Sequence, residues 1–354
     1  LQCNLKCSYC SIGEGDVRGS QGRVQYEIEA LDRFVRKHLA DKDIYVTFYG
    51  GEPTLNRAFM EQVMSRYPAF RFQLQTNGTL IDDLPDWVLA GMANMLISID
   101  GGEEVTDGYR GRGIYKQVLT NVEKIRDRVS GPLTARMTWS SDAIDLPQIE
   151  SLLERFDYLY FQFVADHAYG AEAMAHRKSV LDSLVARFFR DTDSLLRVIP
   201  LMGIVRNKLF PEVLKTRHYG RAQCRVSSHI LNVMPDGRIF TCPDLMHLPE
   251  MQMGDIAGNW LVPSPLQATS EMPCSGCEAD SWCHGNCMKN LWMGYVRHDE
   301  HWRTGITDPV CELVRYLGQA IDRHDYAGWF AALPEAPQRE ITDCPIYDYV
   351  EIMP

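Results

Sequence analysis

A chain of 354 residues with 45% hydrophobic content is long enough to bury more than one core. Its net charge of −11 argues against broad nucleic-acid binding, and no run of about 18 apolar residues reads as a membrane span or secretory signal. Eleven cysteines in so long a chain are not the pattern of a short disulfide scaffold; ten fall into metal-ligand spacings, which points to a reducing, cytoplasmic setting and to oxygen sensitivity.

Cys3-Asn-Leu-Lys-Cys7-Ser-Tyr-Cys10 reads C-x3-C-x2-C, so three thiolates converge from one loop. Three ligands around a four-iron cluster leave one iron open to a small molecule, although the triplet alone also reads as a zinc loop or a partial ferredoxin motif. An amphipathic stretch at 26–40 follows. Apolar, β-branched or aromatic runs at 43–49, 70–75, 94–100, 133–139 and 157–163 then alternate with amphipathic stretches at 57–66, 84–92, 114–127 and 147–155. This alternation predicts βα units around a parallel sheet. Each early run ends in a polar, glycine-bearing loop: Thr47-Phe-Tyr-Gly50-Gly51-Glu52-Pro53, Gln75-Thr76-Asn77-Gly78-Thr79-Leu80 and Ser98-Ile-Asp100-Gly101. Parallel barrels carry their chemistry at the C-terminal ends of strands, so these loops are expected at one mouth. Any one of them alone is an ordinary strand-to-helix turn.

Residues 165–222 read as a bridging helical region. Cys224, Gly237 and Cys242 then enclose a hairpin-like stretch, Asn232 to Phe240, whose Pro-Asp-Gly is a tight turn. Cys274-x2-Cys277-x5-Cys283-x3-Cys287 follows, with Cys311 after a gap. The four-cysteine block by itself has zinc-ribbon character. His218, six residues ahead of Cys224, is either a solvated loop histidine or a nitrogen ligand. Cys344 is outside both sets, and a free thiol, a ligand or a redox residue are its alternatives. Residues 325–354, with Tyr326, Trp329, Phe330, Tyr347 and Tyr349, read as a capping tail.

The first triplet, with Tyr9 before its third cysteine, resembles the signature of the radical S-adenosylmethionine (SAM) superfamily. The seven later cysteines resemble the SPASM extension of those enzymes, C-x9–15-G-x4-C followed by C-x2-C-x5-C-x3-C and a last cysteine. The resemblance implies an α/β fold: a partial (βα)6 barrel over 1–164 with its first strand upstream of Leu1, then the bridging region, a cysteine-rich SPASM domain over 223–324 and the tail. It also implies three 4Fe-4S clusters. Cys3, Cys7 and Cys10 would hold the SAM-binding cluster; Cys274, Cys277, Cys283 and Cys311 the outer auxiliary cluster; Cys224, Cys242 and Cys287 the inner one, whose fourth ligand is missing or is His218. SAM would be met by Gly50, Gly51, Glu52, Thr76, Asn77, Ser98 and Asp100, with Arg110 or Arg112 on its carboxylate.

The chemistry implied is a radical SAM oxidoreductase. An external ferredoxin- or flavodoxin-type donor reduces the first cluster, SAM is cleaved to methionine and a 5'-deoxyadenosyl radical, and that radical takes a hydrogen from a peptide or protein side chain. The auxiliary clusters accept the remaining electron, and a thioether or other crosslink follows. A leader-binding domain is expected on a segment before Leu1, on a separate leader-binding protein, or not at all. The alternatives are a sulfatase-maturase-like oxidation of a cysteine or serine, with Asp244 as base, and a non-catalytic electron-transfer or zinc-binding module. In sulfatase maturases an aspartate directly follows the cysteine equivalent to Cys242; here Pro243 intervenes.

Overall fold

The computed structural model describes residues 1–10, 22–164, 169–217, 224–226, 228–350 and 353–354. Its larger sheet has five parallel strands in sequential order: β1 (Tyr45–Phe48), β2 (Arg71–Thr76), β3 (Met92–Ser98), β4 (Leu133–Trp139) and β5 (Tyr158–Phe163). These lie within two residues of the runs read from the sequence, because a strand covered on both sides is a nearly continuous apolar segment. β3 is the clearest case, with Met92, Met95, Leu96 and Ile97 all buried.

Register across the sheet is set by polar side chains as well as apolar ones. Gln73 donates to Thr47 Oγ1 at 3.3 Å, Asn94 donates to Gln73 Oε1 at 2.8 Å, and Thr134 donates to Asn94 Oδ1 at 3.0 Å. Gln73, Asn94 and Thr134 are buried, whereas Thr47 is exposed on the edge strand. A buried amide is tolerable only with its partners in place, so this ladder penalises any slip of the strands.

The intervening helices are α1 (Ile28–His38), α2 (Arg57–Arg66), α3 (Asp86–Ala90), α4 (Glu103–Arg110), α5 (Ile114–Ile125) and α6 (Leu146–Leu153). α4 was not legible as a helix, because its Glu-Glu-Val-Thr-Asp-Gly-Tyr-Arg carries only one aliphatic residue. The expected bridging region is helical, with α7 (Ala171–Arg190), α8 (Ile199–Leu209) and α9 (Glu212–Arg217). Every residue of α8 from Ile199 to Asn207 is buried, so it is a core helix without a solvent face.

A second, antiparallel sheet of four strands follows: β6 (Asn232–Val233), β7 (Arg238–Phe240), β8 (Gln252–Asp255) and β9 (Trp260–Leu261). Its first turn is the expected Pro235-Asp236-Gly237, with Gly237 at φ +92° and its N–H bonded to Met234 O. Short helices α10 (Asp280–Cys283), α11 (Met288–Leu291) and α12 (Glu300–Trp302) precede α13 (Asp308–Asp322), α14 (Tyr326–Ala332) and α15 (Glu335–Asp343). Two π-helical turns, Trp292–Val296 and Arg303–Thr307, separate α11 from α13.

The chain forms two compact units, Leu1–Arg136 with Ile230–Leu266, and Met137–His229 with Gln267–Pro354. This division cuts across the sequence segments named above. In the first unit, Ala30 and Phe34 of α1 pack on Ile239 and Met253 of the small sheet and on Ile256 in the turn after β8. The second unit pairs α7 with α13, and α8 with α10 and α15. Among the described residues no helix is long and apolar enough to cross a membrane.

The polar ladder gives a direct test. Asn94→Ala removes the donor to Gln73 Oε1 and the acceptor of Thr134 Oγ1 in the core and should cost about 2–4 kcal/mol in denaturant unfolding, while Thr47→Ala at the exposed edge should cost less than about 1 kcal/mol. Equal costs would show that the ladder does not set the register.

Candidate functional site

The loop that carries Cys3, Cys7 and Cys10 has no helix or strand of its own, so its shape is imposed by the strand-end loops beside it. Glu52 N–H donates to Gln2 O at 2.7 Å. At Gly51 a β-carbon would stand 2.3 Å from Gln2 O and 2.4 Å from Leu1 O, so only glycine lets the two backbones approach this closely. Gly50, at φ +133°, is also in a conformation that side chains disfavour.

The Glu52 carboxylate is 2% exposed and accepts four hydrogen bonds. Oε1 takes Thr54 N–H (3.1 Å), Thr54 Oγ1 (2.6 Å) and Thr76 Oγ1 (2.8 Å), and Oε2 takes Asn77 N–H (2.8 Å). This group ties the end of β1 to the end of β2. Asn77 passes the tie onward: its Oδ1 accepts from Thr79 N–H and Oγ1, and its Nδ2 donates to Asn4 Oδ1 at 2.8 Å and lies 3.9 Å from Cys3 Sγ. Asn4 returns a bond to Thr79 Oγ1 at 2.8 Å. Cys3 Sγ also accepts Leu5 N–H at 3.4 Å, and Cys10 N–H closes a turn on Cys7 O at 3.2 Å.

Beyond β3, Asp100 is fully buried and forms a two-point ion pair with Arg110, Nε to Oδ2 at 2.7 Å and Nη2 to Oδ1 at 3.0 Å. The Tyr9 hydroxyl donates to the same Oδ2. Of the two arginines left open by the sequence, Arg110 is therefore engaged inside the protein and Arg112 is exposed. Ser98 is half-buried and pairs in register with Arg136 of β4.

The thiol chemistry fits a cluster of soft metal ions. Burial pushes the pKa values of Cys3 and Cys7 up, and neighbouring thiols add to the effect; at Cys7 the Arg110 guanidinium pulls the other way. Three half-buried thiols within electrostatic reach of one another are a donor set for iron–sulfur binding. Among the described residues no three His, Cys, Asp or Glu side chains converge tightly enough for a single ion.

Sequence reasoning passed over Tyr49, the residue before the double glycine. It keeps 39% of its surface, yet burial of its hydroxyl, followed by the fields of Asp244, Cys242 and Cys10, pushes its pKa up against the pull of Arg136. Asp244 is thus brought towards the mouth that carries Cys10.

In the second unit Cys274, Cys277, Cys283 and Cys311 lie within electrostatic reach of one another. Burial pushes the Cys283 thiol up, with Cys311, Cys274 and Cys277 contributing, against a hydrogen bond from Gly285 N–H. Cys311 is pushed up to about 12 by burial first and Cys274 next. Left-handed His284 (φ 57°) and Gly285 (φ 94°) turn the chain immediately after Cys283, while the first turn of α13 presents Cys311. Cys242 is buried in the first unit; Cys224 and Cys287 are half-buried and belong to the second. His218 lies outside the described residues.

Cys344 is 2% exposed and stands apart from these sets. Its Sγ donates to Tyr158 Oη at 3.4 Å and Glu340 Oε1 at 3.5 Å, and Tyr158 itself donates to Glu340. Burial, the largest cause, pushes this thiol up to about 11.

Residues 1–138 match the family described as the radical SAM superfamily. The chain is 40% identical over 81 residues to a probable GTP 3',8-cyclase of Methanocella arvoryzae, covering 23% of this chain and 25% of that one. It is 33% identical over 183 residues to a cysteine-type anaerobic sulfatase-maturating enzyme of Clostridium perfringens, covering 46% and 48%. The chain thus spans half or less of the length of these curated relatives. A solved structure of anSMEcpe with bound AdoMet aligns at TM-score 0.68 and 19% identity over 91% of this chain and 94% of that one; anSMEcpe has also been solved with AdoMet and the Cp18Cys peptide. SuiB of Streptococcus suis, bound to the precursor peptide SuiA, aligns at TM-score 0.56 and 15% identity over 82% and 70%. At these identities the structural likeness shows a shared fold.

Two outcomes test this geometry. Gly51→Ala should displace Leu1–Gln2 and reduce iron uptake by the N-terminal thiols severalfold, as read by iron content after anaerobic reconstitution; normal uptake would show that the close approach is dispensable. For Cys344 the native pKa lies above the unfolded value of about 8.5, so its contribution is complete below that pH and is lost as pH rises towards 11. Between pH 8 and 11 the parent should therefore lose on the order of 2 kcal/mol more stability than Cys344→Ala; parallel curves would contradict the burial of this thiol.

Proposed function

We infer, from the radical SAM domain that residues 1–138 carry, that this protein is a maturase that makes an oxidative modification in a peptide or protein side chain. A radical SAM domain implies a 4Fe-4S cluster and SAM, and together these supply, on one-electron reduction, a 5'-deoxyadenosyl radical able to abstract hydrogen from carbon. Cys3, Cys7 and Cys10 would hold that cluster. The Gly50–Gly51 backbone, Thr76, Asn77 and Ser98 would line the SAM site, with Glu52 holding the first two strand-end loops in place.

The observation that carries the maturase reading is the second thiol set. Cys274, Cys277, Cys283 and Cys311 are drawn together in one unit as mutual electrostatic neighbours, which suits an outer auxiliary cluster. Cys224, Cys242 and Cys287 are assigned to an inner cluster on spacing alone. A two-electron oxidation gives up one electron more than hydrogen abstraction removes, and an auxiliary cluster would accept it. Peptide-bound structures of anSMEcpe and SuiB support a peptide as substrate. A ferredoxin- or flavodoxin-type donor would supply the first electron.

A sulfatase-maturase-like oxidation of a cysteine or serine is the second reading, favoured by the match to the Clostridium perfringens enzyme and by Asp244 lying in the field of Tyr49 near Cys10. A crosslink between residues is the first, because Pro243 separates Asp244 from Cys242.

Replacing Cys3, Cys7 and Cys10 together by alanine should abolish SAM cleavage and remove about four irons per chain. Cys274→Ala should likewise lose about four irons while 5'-deoxyadenosine formation remains measurable. Unchanged iron in the Cys274 variant would reject the auxiliary site, and retained cleavage in the triple variant would reject the radical reading.

A further inference from the structure

We propose that Tyr9, Asp100 and Arg110 form a latch that fixes the cluster loop to the end of β3, so that these three are positioning residues for the thiols and not contacts to SAM. The proposal rests on the reading that Cys3, Cys7 and Cys10 hold the cluster. It departs from the family resemblance, which implies that Asp100 meets SAM and that Arg110 or Arg112 meets its carboxylate.

The geometry leaves these groups little capacity for a ligand. Asp100 Oδ1 and Oδ2 are both taken by Arg110, and Oδ2 is also taken by Tyr9. The Asp100 carboxylate is 0% exposed and the Arg110 side chain 6%. Such a two-point guanidinium–carboxylate pair has one orientation, unlike a lysine contact. Its burial is costly unless both partners stay, so the pair holds whatever is bonded to it in one place.

What is bonded to it is the cluster loop. The Tyr9 hydroxyl reaches Asp100, the Tyr9 ring lies 5.6 Å under the Arg110 guanidinium, and the Tyr9 and Tyr109 ring centroids are 5.4 Å apart. Ser8 N–H donates to Tyr109 O at 3.2 Å, and Asp100 N–H donates to Thr106 Oγ1 at 3.1 Å. Thr106, Tyr109 and Arg110 are three and four residues apart, so one face of α4 is given to this contact. The helix ends there, at Gly111 with φ +120°, and places its cation in the last turn, where the helix dipole favours it.

Position has an electrostatic consequence, because Tyr9 lies between Cys7 and Cys10 and is bonded to Asp100 and stacked near Arg110. A cluster on three thiolates becomes more negative on reduction. Removing a nearby carboxylate should make that step easier, and removing a nearby cation should make it harder.

The test uses the full chain, reconstituted anaerobically with iron and sulfide. In reduced protein, the electron paramagnetic resonance signal that changes when SAM is added identifies the cluster on Cys3, Cys7 and Cys10; its properties are then measured before SAM is added. Tyr9→Phe should release iron from that cluster to a chelator severalfold faster than the parent. Asp100→Asn should shift its midpoint potential upward and Arg110→Gln downward, with Arg110→Lys closer to the parent than Arg110→Gln. Thermal unfolding of the iron-free proteins separates these effects from loss of the fold. SAM-free potentials and release rates identical to the parent, with only SAM affinity reduced, would overturn the latch and make Asp100 and Arg110 ligand contacts. A parent chain that takes up no SAM-responsive cluster would instead refute the radical SAM reading on which the latch depends.

Discussion

The three thiols proposed to share one cluster sit on a segment with no helix or strand of its own, and the ends of three strands in the first unit are bonded to that segment. A loop cannot fix its own side chains to the sub-ångström tolerance that a shared metal cluster requires. The chain solves this by pressing the loop onto the ends of three strands. Gly51 removes the side chain that would keep Leu1 and Gln2 away, Glu52 and Asn77 bind the first two strand ends to Cys3 and Asn4, and Asp100 with Arg110 anchors the segment around Cys7 and Cys10. Each anchor is buried and bonded, so the loop inherits the rigidity of the sheet.

The sheet in turn depends on register. A shift of one residue would turn the polar ladder through Gln73, Asn94 and Thr134 away from its partners and carry Glu52, Asn77 and Asp100 out of line with one another. The same logic operates in the second unit by different means. There the cysteines are held on short helices and turns, with left-handed His284 and Gly285 reversing the chain after Cys283 and α13 supplying Cys311. Tyr295 in one π-helical turn bonds Asp308, three residues before Cys311, at 2.5 Å. A side-chain bond thus ties the π-helical turn to the start of the helix that carries Cys311.

The strands were legible because their apolar runs are continuous and end in glycine-bearing loops, and the Pro235-Asp236-Gly237 turn was legible because its residue types match its backbone angles. α4 was not, since its sequence holds one aliphatic residue and its purpose is to present Thr106, Tyr109 and Arg110 to a neighbour distant in sequence. Motif spacing named Glu52, Asp100 and Arg110 but could not say what they bond. A carboxylate in a Gly-Gly-Glu loop reads equally well as a ligand contact or a tie between loops, and only the positions of Thr54, Thr76 and Asn77 decide where its oxygens are spent. Tyr49 carried no signal because a lone aromatic after a strand is ordinary. The packing of α1 on the small sheet joins residues some 200 positions apart, a distance no periodicity spans.

The central claim is that the loop bearing Cys3, Cys7 and Cys10 holds a cluster that cleaves SAM. The measurement that tests it most directly is anaerobic incubation of the reconstituted protein with SAM and a strong one-electron reductant, with 5'-deoxyadenosine and methionine quantified over time. The account predicts equimolar formation of both, dependent on the reductant. Intact SAM after prolonged incubation, in protein that carries its full complement of iron and sulfide, would contradict it.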